Sequence, residues 1–231
     1  MKGPIIAIDG TAASGKSTTA RKVAEHFHYV CVDTGAMYRA VTLKALRQGI
    51  DMRDRSALAK MVRDTNIAFE PKNGSVRILC DHEDVTEKIR MPDVTRNVSA
   101  VSEVKEVREA LVLKQRELGR EGGVVMEGRD IGTVVFPQAD VKVFMDADVQ
   151  ERARRRGREY EDRGIQAKST ELTHAIQERD TWDSSRIHSP MRKAADAQYV
   201  DTTQLTIEEQ VSILIKKVEH VLKQNEKERL E

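Results

Sequence analysis

The chain has 231 residues, of which 39% are apolar and 33% charged, with 39 lysines and arginines against 38 aspartates and glutamates. This composition excludes a disordered or collagen-like chain, and the length suits one sizeable core, with or without a small inserted subdomain. A net charge of +1 and an aromatic content of 4% give no general electrostatic or stacking argument for binding to nucleic acid or to a membrane surface.

No apolar run approaches the ~20 residues that a membrane-spanning helix needs. Residues 1–4 lead directly into a strand-like run and show no signal-peptide pattern. We therefore expect a cytoplasmic protein without a membrane segment.

Strands and helices alternate from the start of the chain. The elements predicted in this first part are a strand at residues 5–9, a helix whose apolar face carries Ala20, Val23, Ala24 and Phe27, a strand at residues 29–33, a helix at residues 37–48 and a helix capped by Ser56.

A β-rich segment then interrupts the alternation. Residues 67–70 and 75–81 predict two strands, and the Asn73-Gly74 pair between them favours a hairpin turn because it tolerates positive φ. A short strand is expected at residues 84–86. We therefore predict that residues 64–102 form an insertion.

The alternation resumes after one long predicted helix, whose apolar positions run from Val101 to Leu118. Short apolar strands that alternate with helices predict an α/β fold with a parallel sheet and helices on both faces. The later predicted elements are strands at residues 124–127, 141–146 and 197–201, a charged helix opened by an Asp148/Glu151 capping box, a helix at residues 170–185 and a last helix capped by Thr206 and Glu209.

The first turn of the chain matches a phosphate-binding pattern in full. Its sequence, Gly-Thr-Ala-Ala-Ser-Gly-Lys-Ser, is G-x-x-x-x-G-K-[ST] between a strand and an amphipathic helix. In such a P-loop, backbone N–H groups cradle phosphates, the lysine reaches the β and γ phosphates, and the serine hydroxyl can hold Mg²⁺. The predicted nucleoside-triphosphate site, with Lys16 as catalytic cation and Ser17 as Mg²⁺ ligand, comprises Gly10, Thr11, Ala12, Ala13, Ser14, Gly15, Lys16, Ser17 and Thr18.

The companion motifs of other P-loop classes are missing from the sequence. No N-K-x-D or D-x-x-G motif stands where a regulatory GTPase would need it, and no Asp-Glu pair ends a strand as in a motor ATPase. A kinase of a small phosphorylated acceptor needs cations beyond the γ-phosphate instead. Arg39 and Arg129 both follow predicted strands, where ligands collect in α/β sheets. The alternatives are a helix-surface role for Arg39 and an ion pair of Arg129 with Asp130.

Arginine recurs six times between residues 152 and 163. Interleaved acidic residues make a solvated helix face one interpretation, and a nucleic-acid patch is another. Beside a P-loop we favour a mobile lid at residues 152–168, which would exclude water and neutralise charge on the transferred phosphoryl group.

Four stretches of the sequence share one resemblance. They are Ile8-Asp9-Gly10 running into the P-loop, Asp33-Thr34-Gly35-Ala36-Met37-Tyr38-Arg39, residues 128–137 from Gly128-Arg129-Asp130 to Phe136-Pro137, and Glu178-Arg179-Asp180 followed by Asp183 and Arg186. Together they resemble the bacterial cytidylate kinase family over essentially the whole chain. The resemblance implies a P-loop kinase core at residues 1–63 and 103–231, with a five-stranded parallel sheet flanked by helices, a monophosphate-binding insertion at residues 64–102 and an arginine-rich lid.

The resemblance also implies an activity, the transfer of the γ-phosphoryl group of ATP to CMP or dCMP with Mg²⁺. Arg39 and Arg129, with Arg179, would hold the acceptor phosphate, because planar guanidinium groups suit bidentate contacts. Asp183 would contact the sugar hydroxyls. The full monophosphate site implied by the resemblance comprises Thr34, Tyr38, Arg39, Ser99, Arg108, Arg129, Asp130, Arg179, Asp183 and Arg186.

The base would be read by Arg108, Ser99 and Asp130. A carboxylate accepts a hydrogen bond from the N4 amino group of cytosine and is repelled by O4 of uracil, so Asp130 suits a discriminating role.

Arg152 and Arg156 are the lid arginines that we expect to act in catalysis with Lys16 and Arg129. Asp9 or Asp33 would orient waters around Mg²⁺, with simple strand-end solvation as the alternative. Thr11 stands where members of the family commonly carry proline, and we expect it to contribute only its backbone.

We expect a monomer that binds the small nucleotides ATP and CMP or dCMP and binds neither nucleic acid nor membrane. Two alternatives stay open at this point. One is a P-loop kinase with a different acceptor, such as UMP, and the other is a nucleotide-gated module that binds RNA through residues 152–163.

Overall fold

A computed structural model describes residues 3–72 and 75–228 of the chain. These residues form two compact units, one from residues 3–31 and 119–228 and the other from residues 32–72 and 75–118. The predicted insertion at residues 64–102 falls within the second unit, and its exact limits stay a prediction. Among the residues so described, no helix is long and apolar enough to cross a membrane.

Strands and helices alternate over most of the described residues. A 3-10 turn at Lys88–Arg90 precedes α4, and a π-helical turn at Ile131–Val135 follows β6. In chain order the elements are β1 (Ile5–Gly10), α1 (Lys16–Phe27), β2 (Val30–Asp33), α2 (Thr34–Arg47), α3 (Arg55–Arg63), β3 (Ile67–Lys72), β4 (Ser75–Cys80), β5 (Glu83–Asp84), α4 (Pro92–Glu103), α5 (Lys105–Gly119), β6 (Val124–Gly128), β7 (Val141–Asp146), α6 (Val149–Glu161), α7 (Ser169–Ser185), β8 (Gln198–Asp201) and α8 (Ile207–Glu228).

The main sheet has five strands in the order β2–β6–β1–β7–β8. The central strand β1 pairs in parallel with β6 and β7, so that Ile8 lies opposite Glu127 on one side and Val143 on the other. The continuous apolar run of β1 fits this position, because a central strand of a parallel sheet is buried on both faces. The predicted five-stranded parallel sheet flanked by helices is confirmed.

Helices α1 and α8 pack against each other and against the sheet. Val23 of α1 and Leu214 and Val218 of α8 are fully buried in one cluster with Ile6 and Ile8 of β1. Each such side chain contributes about 1.5–3 kcal/mol through the apolar surface that it buries. The packing holds α1 in place directly after the P-loop.

The second unit contains a three-stranded antiparallel sheet, in the order β3–β4–β5, and the helix α2 packed against α4 and β4. β3 and β4 pair from Ile67 opposite Cys80 to Lys72 opposite Ser75, as a hairpin requires. The predicted Asn-Gly turn lies at residues 73 and 74, outside the described residues.

The single long helix predicted before Gly122 is wrong, because the chain forms two helices that meet at Val104. Val104 has an extended backbone with ψ of 118°, which ends α4 before α5 begins. Val101, Val104 and Val107 are all buried, so the apolar spacing continues across the break. No glycine or proline marks the position, so the apolar spacing alone did not indicate the break between the two helices.

Two predicted helix caps also differ in the structure. Asp54 rather than Ser56 caps α3, because its carboxylate accepts the N–H of Ala57 at 2.9 Å. At α6, Asp148 does cap the helix by accepting from Gln150, but its own N–H donates to Thr203 instead of Glu151.

The capping box predicted for α8 is confirmed. The N–H of Thr206 donates to the Glu209 carboxylate at 2.8 Å, and the N–H of Glu209 donates back to the Thr206 hydroxyl at 3.2 Å.

Candidate active site

The segment between β1 and α1 turns sharply at two glycines. Gly10 has φ of 145°, and a Cβ there would lie 1.8 Å from the Met145 carbonyl oxygen, so only glycine fits. Gly15, with φ of 96°, precedes α1, and a Cβ there would lie 2.6 Å from Oε1 of Gln210. Ala13 between them also has positive φ, at 59°. Positive φ at these positions turns backbone N–H groups to one side of the loop, as an anion-binding loop requires.

Lys16 is buried and folded back over this loop. Its ammonium group donates to the Thr11 carbonyl oxygen at 2.5 Å and to the Ser14 hydroxyl at 3.3 Å. Burial lowers the pKa of Lys16, and the nearby charge of Arg129 lowers it further. Since these two hydrogen-bond acceptors are neutral, a phosphate group would be a stronger partner for the ammonium group.

Thr11 contributes more than its backbone, and the expectation of a backbone-only role is wrong. Its hydroxyl donates to Oδ1 of Asp146 at 2.6 Å, while its N–H donates to the Met145 carbonyl at 3.2 Å. Asp146 ends β7, so the side chain joins the loop to the neighbouring strand. The residue type favours this bond, because proline has no hydroxyl that could reach the carboxylate.

Arg152 of α6 is buried and reaches the P-loop. It donates from Nε to the Ala147 carbonyl at 2.8 Å and from Nη1 to the Ala12 carbonyl at 3.2 Å, and it forms an ion pair with Asp180 of α7. Asp180 also accepts the N–H of Ala12 at 3.1 Å. Sequence reasoning singled out Asp180 only as part of a motif and gave it no role.

A second connection between α6 and the P-loop runs through Thr202. Arg155 donates to the Thr202 carbonyl at 2.6 Å, and the buried Thr202 hydroxyl donates to the Ser14 carbonyl at 2.8 Å. From α8, the buried Gln210 accepts a hydrogen bond from Thr19 at 3.1 Å. Sequence reasoning missed both residues, because no local motif marks a single threonine or glutamine that meets a loop.

Three further arginines of α6 are paired along the helix. Arg154 and Arg155 both bind Glu151, and Arg156 lies 3.1 Å from Glu159. These pairs use much of the positive charge that a nucleic-acid patch would need. The helix packs against α7 through Ala153, Leu172 and Ile176. A mobile lid at residues 152–168 remains a prediction.

Three arginines surround the buried carboxylate of Asp183 in the first unit. The Asp183 oxygens lie 3.0 Å from Nε of Arg129, 3.5 Å from Nη2 of Arg186 and 3.9 Å from Nε of Arg179. Burial by itself raises the pKa of Asp183, but these three charges lower it below its ordinary value. Burial and the charge of Arg129 lower the pKa of Arg179 to about 10. Three guanidinium groups contact this carboxylate, while Asp180 and Glu127 also act on Arg129, and such a cluster of arginines suits an additional anion.

Asp9, at the end of β1, holds the π-helical turn that follows β6. Its two carboxylate oxygens accept the N–H groups of Ile131 and Gly132, each at 2.7 Å. Burial nevertheless raises its pKa to about 6, and the charge of Asp130 adds to the increase. Asp9 thereby fixes the segment that begins at Asp130, the predicted reader of the base.

Replacing Asp9 with asparagine is expected to remove a pH-dependent part of the stability. The pKa of Asp9 rises from 3.8 to about 6 on folding, so its protonation stabilises the folded state fully at low pH and no longer above about pH 6. Relative to the variant, the wild-type free energy of unfolding should fall by about 2 kcal/mol between about pH 4.5 and about pH 7.5. Urea denaturation at several pH values measures the difference, and a constant offset would contradict the burial of this carboxylate.

The second unit carries the remaining residues that the resemblance implies for the monophosphate site. Thr34 is buried at the start of α2, which Asp33 caps by accepting the N–H of Ala36 at 2.9 Å. Arg39, on α2, donates to the Thr95 hydroxyl at 2.9 Å and is half-buried, which argues against a purely solvated helix-surface role.

Arg108 of α5 is buried in the second unit beside Tyr38. Its guanidinium group lies 5.2 Å from the centre of the Tyr38 ring and donates to the Ser102 carbonyl at 3.0 Å. The Ser102 hydroxyl donates in turn to the carbonyl of Ser99, at 2.9 Å. The structure therefore brings Tyr38, Ser99 and Arg108 into one connected group.

Comparison with known proteins agrees with this arrangement of motifs. The family model described as cytidylate kinase matches residues 6–220. The cytidylate kinase of Limosilactobacillus reuteri (strain DSM 20016) is 50% identical over 225 residues, which cover 96% of this chain and 99% of the relative. Those of Exiguobacterium sibiricum and Enterococcus faecalis are each 48% identical, covering 96% and 95% of this chain and 100% and 95% of their own lengths. Since the similarity runs through nearly the full length of both partners, the chain belongs to the cytidylate kinase family.

Proposed function

We propose that this protein transfers the γ-phosphoryl group of ATP to CMP or dCMP and releases ADP and CDP or dCDP. The observation that carries the proposal is that one stretch of α7 joins the P-loop to the arginine cluster. Asp180 accepts the N–H of Ala12 in the loop at 3.1 Å, and the neighbouring Arg179 lies with Arg129 beside Asp183. A P-loop lysine holds a triphosphate, and an adjacent arginine cluster offers a place for a second phosphate. The named relatives, all cytidylate kinases, indicate which phosphorylated acceptor it is.

ATP would bind with its phosphates in the P-loop. The N–H groups of the loop and the N-terminus of α1 would hold the phosphate oxygens, and Lys16 would exchange its contacts with Thr11 and Ser14 for the β and γ phosphates. Transfer would be direct and in line, without a covalent intermediate, so that the protein contributes positioning and charge.

The donor set at the start of α1 fits Mg²⁺. The side chain of Ser17 is exposed in the first turn of the helix, and Mg²⁺ bound with ATP needs few protein oxygens besides phosphates and water. We therefore assign Ser17 as the residue that would hold Mg²⁺, which supplies charge neutralisation at the phosphates. Asp9 or Asp33 would orient waters around the metal, and backbone N–H groups hold each of these carboxylates in place.

Arg129 and Arg179 are the residues that we assign to the acceptor phosphate, and the family resemblance adds Arg39. The assignment of Arg129 and Arg179 is supported by their position around Asp183, where their ion pairs hold the guanidinium groups in place to bind an anion. Arg186, on the same carboxylate, would add to this positive charge. Asp183 would hold these arginines and accept hydrogen bonds from the sugar hydroxyls.

The base would be recognised by Asp130 together with Ser99 and Arg108. Asp130 is buried and begins the turn that Asp9 holds, so its carboxylate would have a defined position. Thr34 and Tyr38 would line the same monophosphate site.

Arg152 and Arg156 of α6 would neutralise charge on the transferred phosphoryl group and help to exclude water. The two side chains differ, since Arg152 is bonded to the P-loop and Arg156 is paired only along its own helix in the contacts described above.

We also propose that the protein is a monomer located in the cytoplasm, as expected from the sequence. Size-exclusion chromatography would test the monomeric state, and cell fractionation would test the location.

The experiment for the proposed function is a coupled ADP-release assay with Mg-ATP. CMP, dCMP, UMP, AMP, GMP and dTMP are compared with a blank that lacks an acceptor. We expect rapid turnover with CMP and dCMP, weak turnover with UMP and none in the blank. Equal turnover in every well, including the blank, would identify an ATPase and contradict the proposal.

A further inference from the structure

Ala12, in the middle of the P-loop, has both of its backbone polar groups bonded to the helix pair α6 and α7. Its N–H donates to Oδ1 of Asp180 at 3.1 Å, and its carbonyl oxygen accepts from Nη1 of Arg152 at 3.2 Å. Arg152 also forms an ion pair with Oδ2 of Asp180. The three residues close a ring of contacts in which Asp180 uses both carboxylate oxygens.

This ring has a direct consequence for the phosphate site. The N–H of Ala12 is already donated to a carboxylate, so the phosphates must use the later N–H groups of the loop and the N-terminus of α1. Asp180 therefore sets one edge of the anion site.

The contacts are also well shielded from solvent. The side chain of Asp180 is 14% exposed and that of Arg152 is 9% exposed. Arg152 is held further by the bond from its Nε to the Ala147 carbonyl. Separating the pair would leave a largely buried carboxylate without its cation, which costs far more than breaking a surface ion pair.

Asp180 lies on the part of α7 that also serves the arginine cluster. Its neighbour Arg179 and the residue three positions on, Asp183, belong to that cluster, while Asp180 itself contacts the P-loop. One short stretch of helix thus touches both the loop for the triphosphate and the arginines assigned to the acceptor phosphate.

We infer that Asp180 is a positioning residue for phosphoryl transfer, which holds the P-loop at Ala12 and keeps the guanidinium group of Arg152 at the loop. Asp180 acts through these two groups and does not itself contact phosphate. The inference rests on the proposed function and adds a role for a side chain that the proposal leaves unassigned.

Two substitutions of Asp180 distinguish its contact with Ala12 from its contact with Arg152. Asp180→Asn keeps an oxygen for the Ala12 N–H but removes the charge that holds Arg152, and we expect kcat to fall about 10- to 100-fold with KM for ATP within about twofold of wild type. Asp180→Ala removes both contacts and should in addition raise KM for ATP about 5- to 10-fold. Glu178→Gln, an exposed position on the same helix, is the control and should change neither value.

A double-mutant cycle shows whether the effect passes through Arg152. In an Arg152→Ala background, Asp180→Asn should lower kcat less than about threefold, because its partner is already missing. If the substitutions only reduced the fraction of correctly folded enzyme, the two losses of kcat would multiply instead. Full additivity, or an unchanged KM for ATP in Asp180→Ala, would overturn the inference.

ATP binding measured by calorimetry keeps this test separate from the proposed function. A wild type that turns over no acceptor would contradict the function, yet Asp180→Ala should still bind ATP about 5- to 10-fold more weakly than Asp180→Asn. A wild type active on CMP with unaffected Asp180 variants would contradict the inference alone. If Asp180→Ala does not fold, the nearly isosteric Asp180→Asn carries the test through the cycle with Arg152.

Discussion

Replacing Lys16 with alanine is expected to lower kcat for phosphoryl transfer by roughly 1,000-fold or more. The ammonium group of Lys16 is the cation of the P-loop itself, and it is bonded only to neutral oxygens of Thr11 and Ser14 among its described hydrogen bonds. It is therefore available to follow the charge that moves from the γ-phosphate to the leaving ADP. A coupled ADP-release assay with CMP measures the loss.

The same substitution should leave the fold intact. Burial lowers the pKa of Lys16, which means that the folded protein disfavours its charged form. Removing the side chain thus relieves a desolvation cost while it gives up two hydrogen bonds, and we expect a melting temperature close to that of wild type.

Lys22→Ala is the matched control for this experiment. Lys22 lies on the same helix, is partly exposed and pairs with Glu208, away from the P-loop contacts of Lys16. Its removal should leave kcat unchanged. Near-normal turnover in Lys16→Ala, with a normal melting curve, would refute the assignment of the catalytic cation.

Replacing Asp130 with asparagine is expected to lower the preference for CMP over UMP by roughly 10- to 100-fold, expressed as the ratio of kcat/KM values. A carboxylate offers only acceptors, which match the amino group of cytosine and repel the carbonyl group of uracil. An amide offers both a donor and an acceptor, so it can rotate to suit either base. The size of the change corresponds to one well-placed hydrogen bond to a base edge.

The position of Asp130 supports this expectation. It is buried at the start of the turn whose N–H groups Asp9 holds at 2.7 Å, so the carboxylate lies on a fixed backbone. A reader of bases needs this rigidity, because a side chain that could move away would not penalise the wrong base.

The ratio of CMP to dCMP turnover supplies the internal control. Both acceptors carry cytosine, so Asp130→Asn should change their kcat/KM values together. The comparison of two substrates on one preparation also removes any effect of inactive protein. An unchanged ratio of CMP to UMP would show that the base is read elsewhere.

Much of the fold follows from local patterns in the sequence. The apolar run of β1, the apolar stripe of α1 and the capping residues of α8 each predict an element that the structure confirms. The patterns failed where the same apolar spacing continues through a change in backbone, as at Val104. They also failed where two polar residues compete for one helix end, as Asp54 and Ser56 do at α3.

The phosphate-binding loop can be identified from the sequence alone, because its chemistry lies within the consecutive residues Gly10 to Ser17 and their spacing is its signature. What holds this loop in place depends instead on the tertiary structure. The hydrogen bonds of Thr11 to Asp146, of Ala12 to Arg152 and of Ala12 to Asp180 join residues 135, 140 and 168 positions apart. No local pattern specifies which distant side chain meets a given backbone group, since that choice depends on how the helices pack against the sheet.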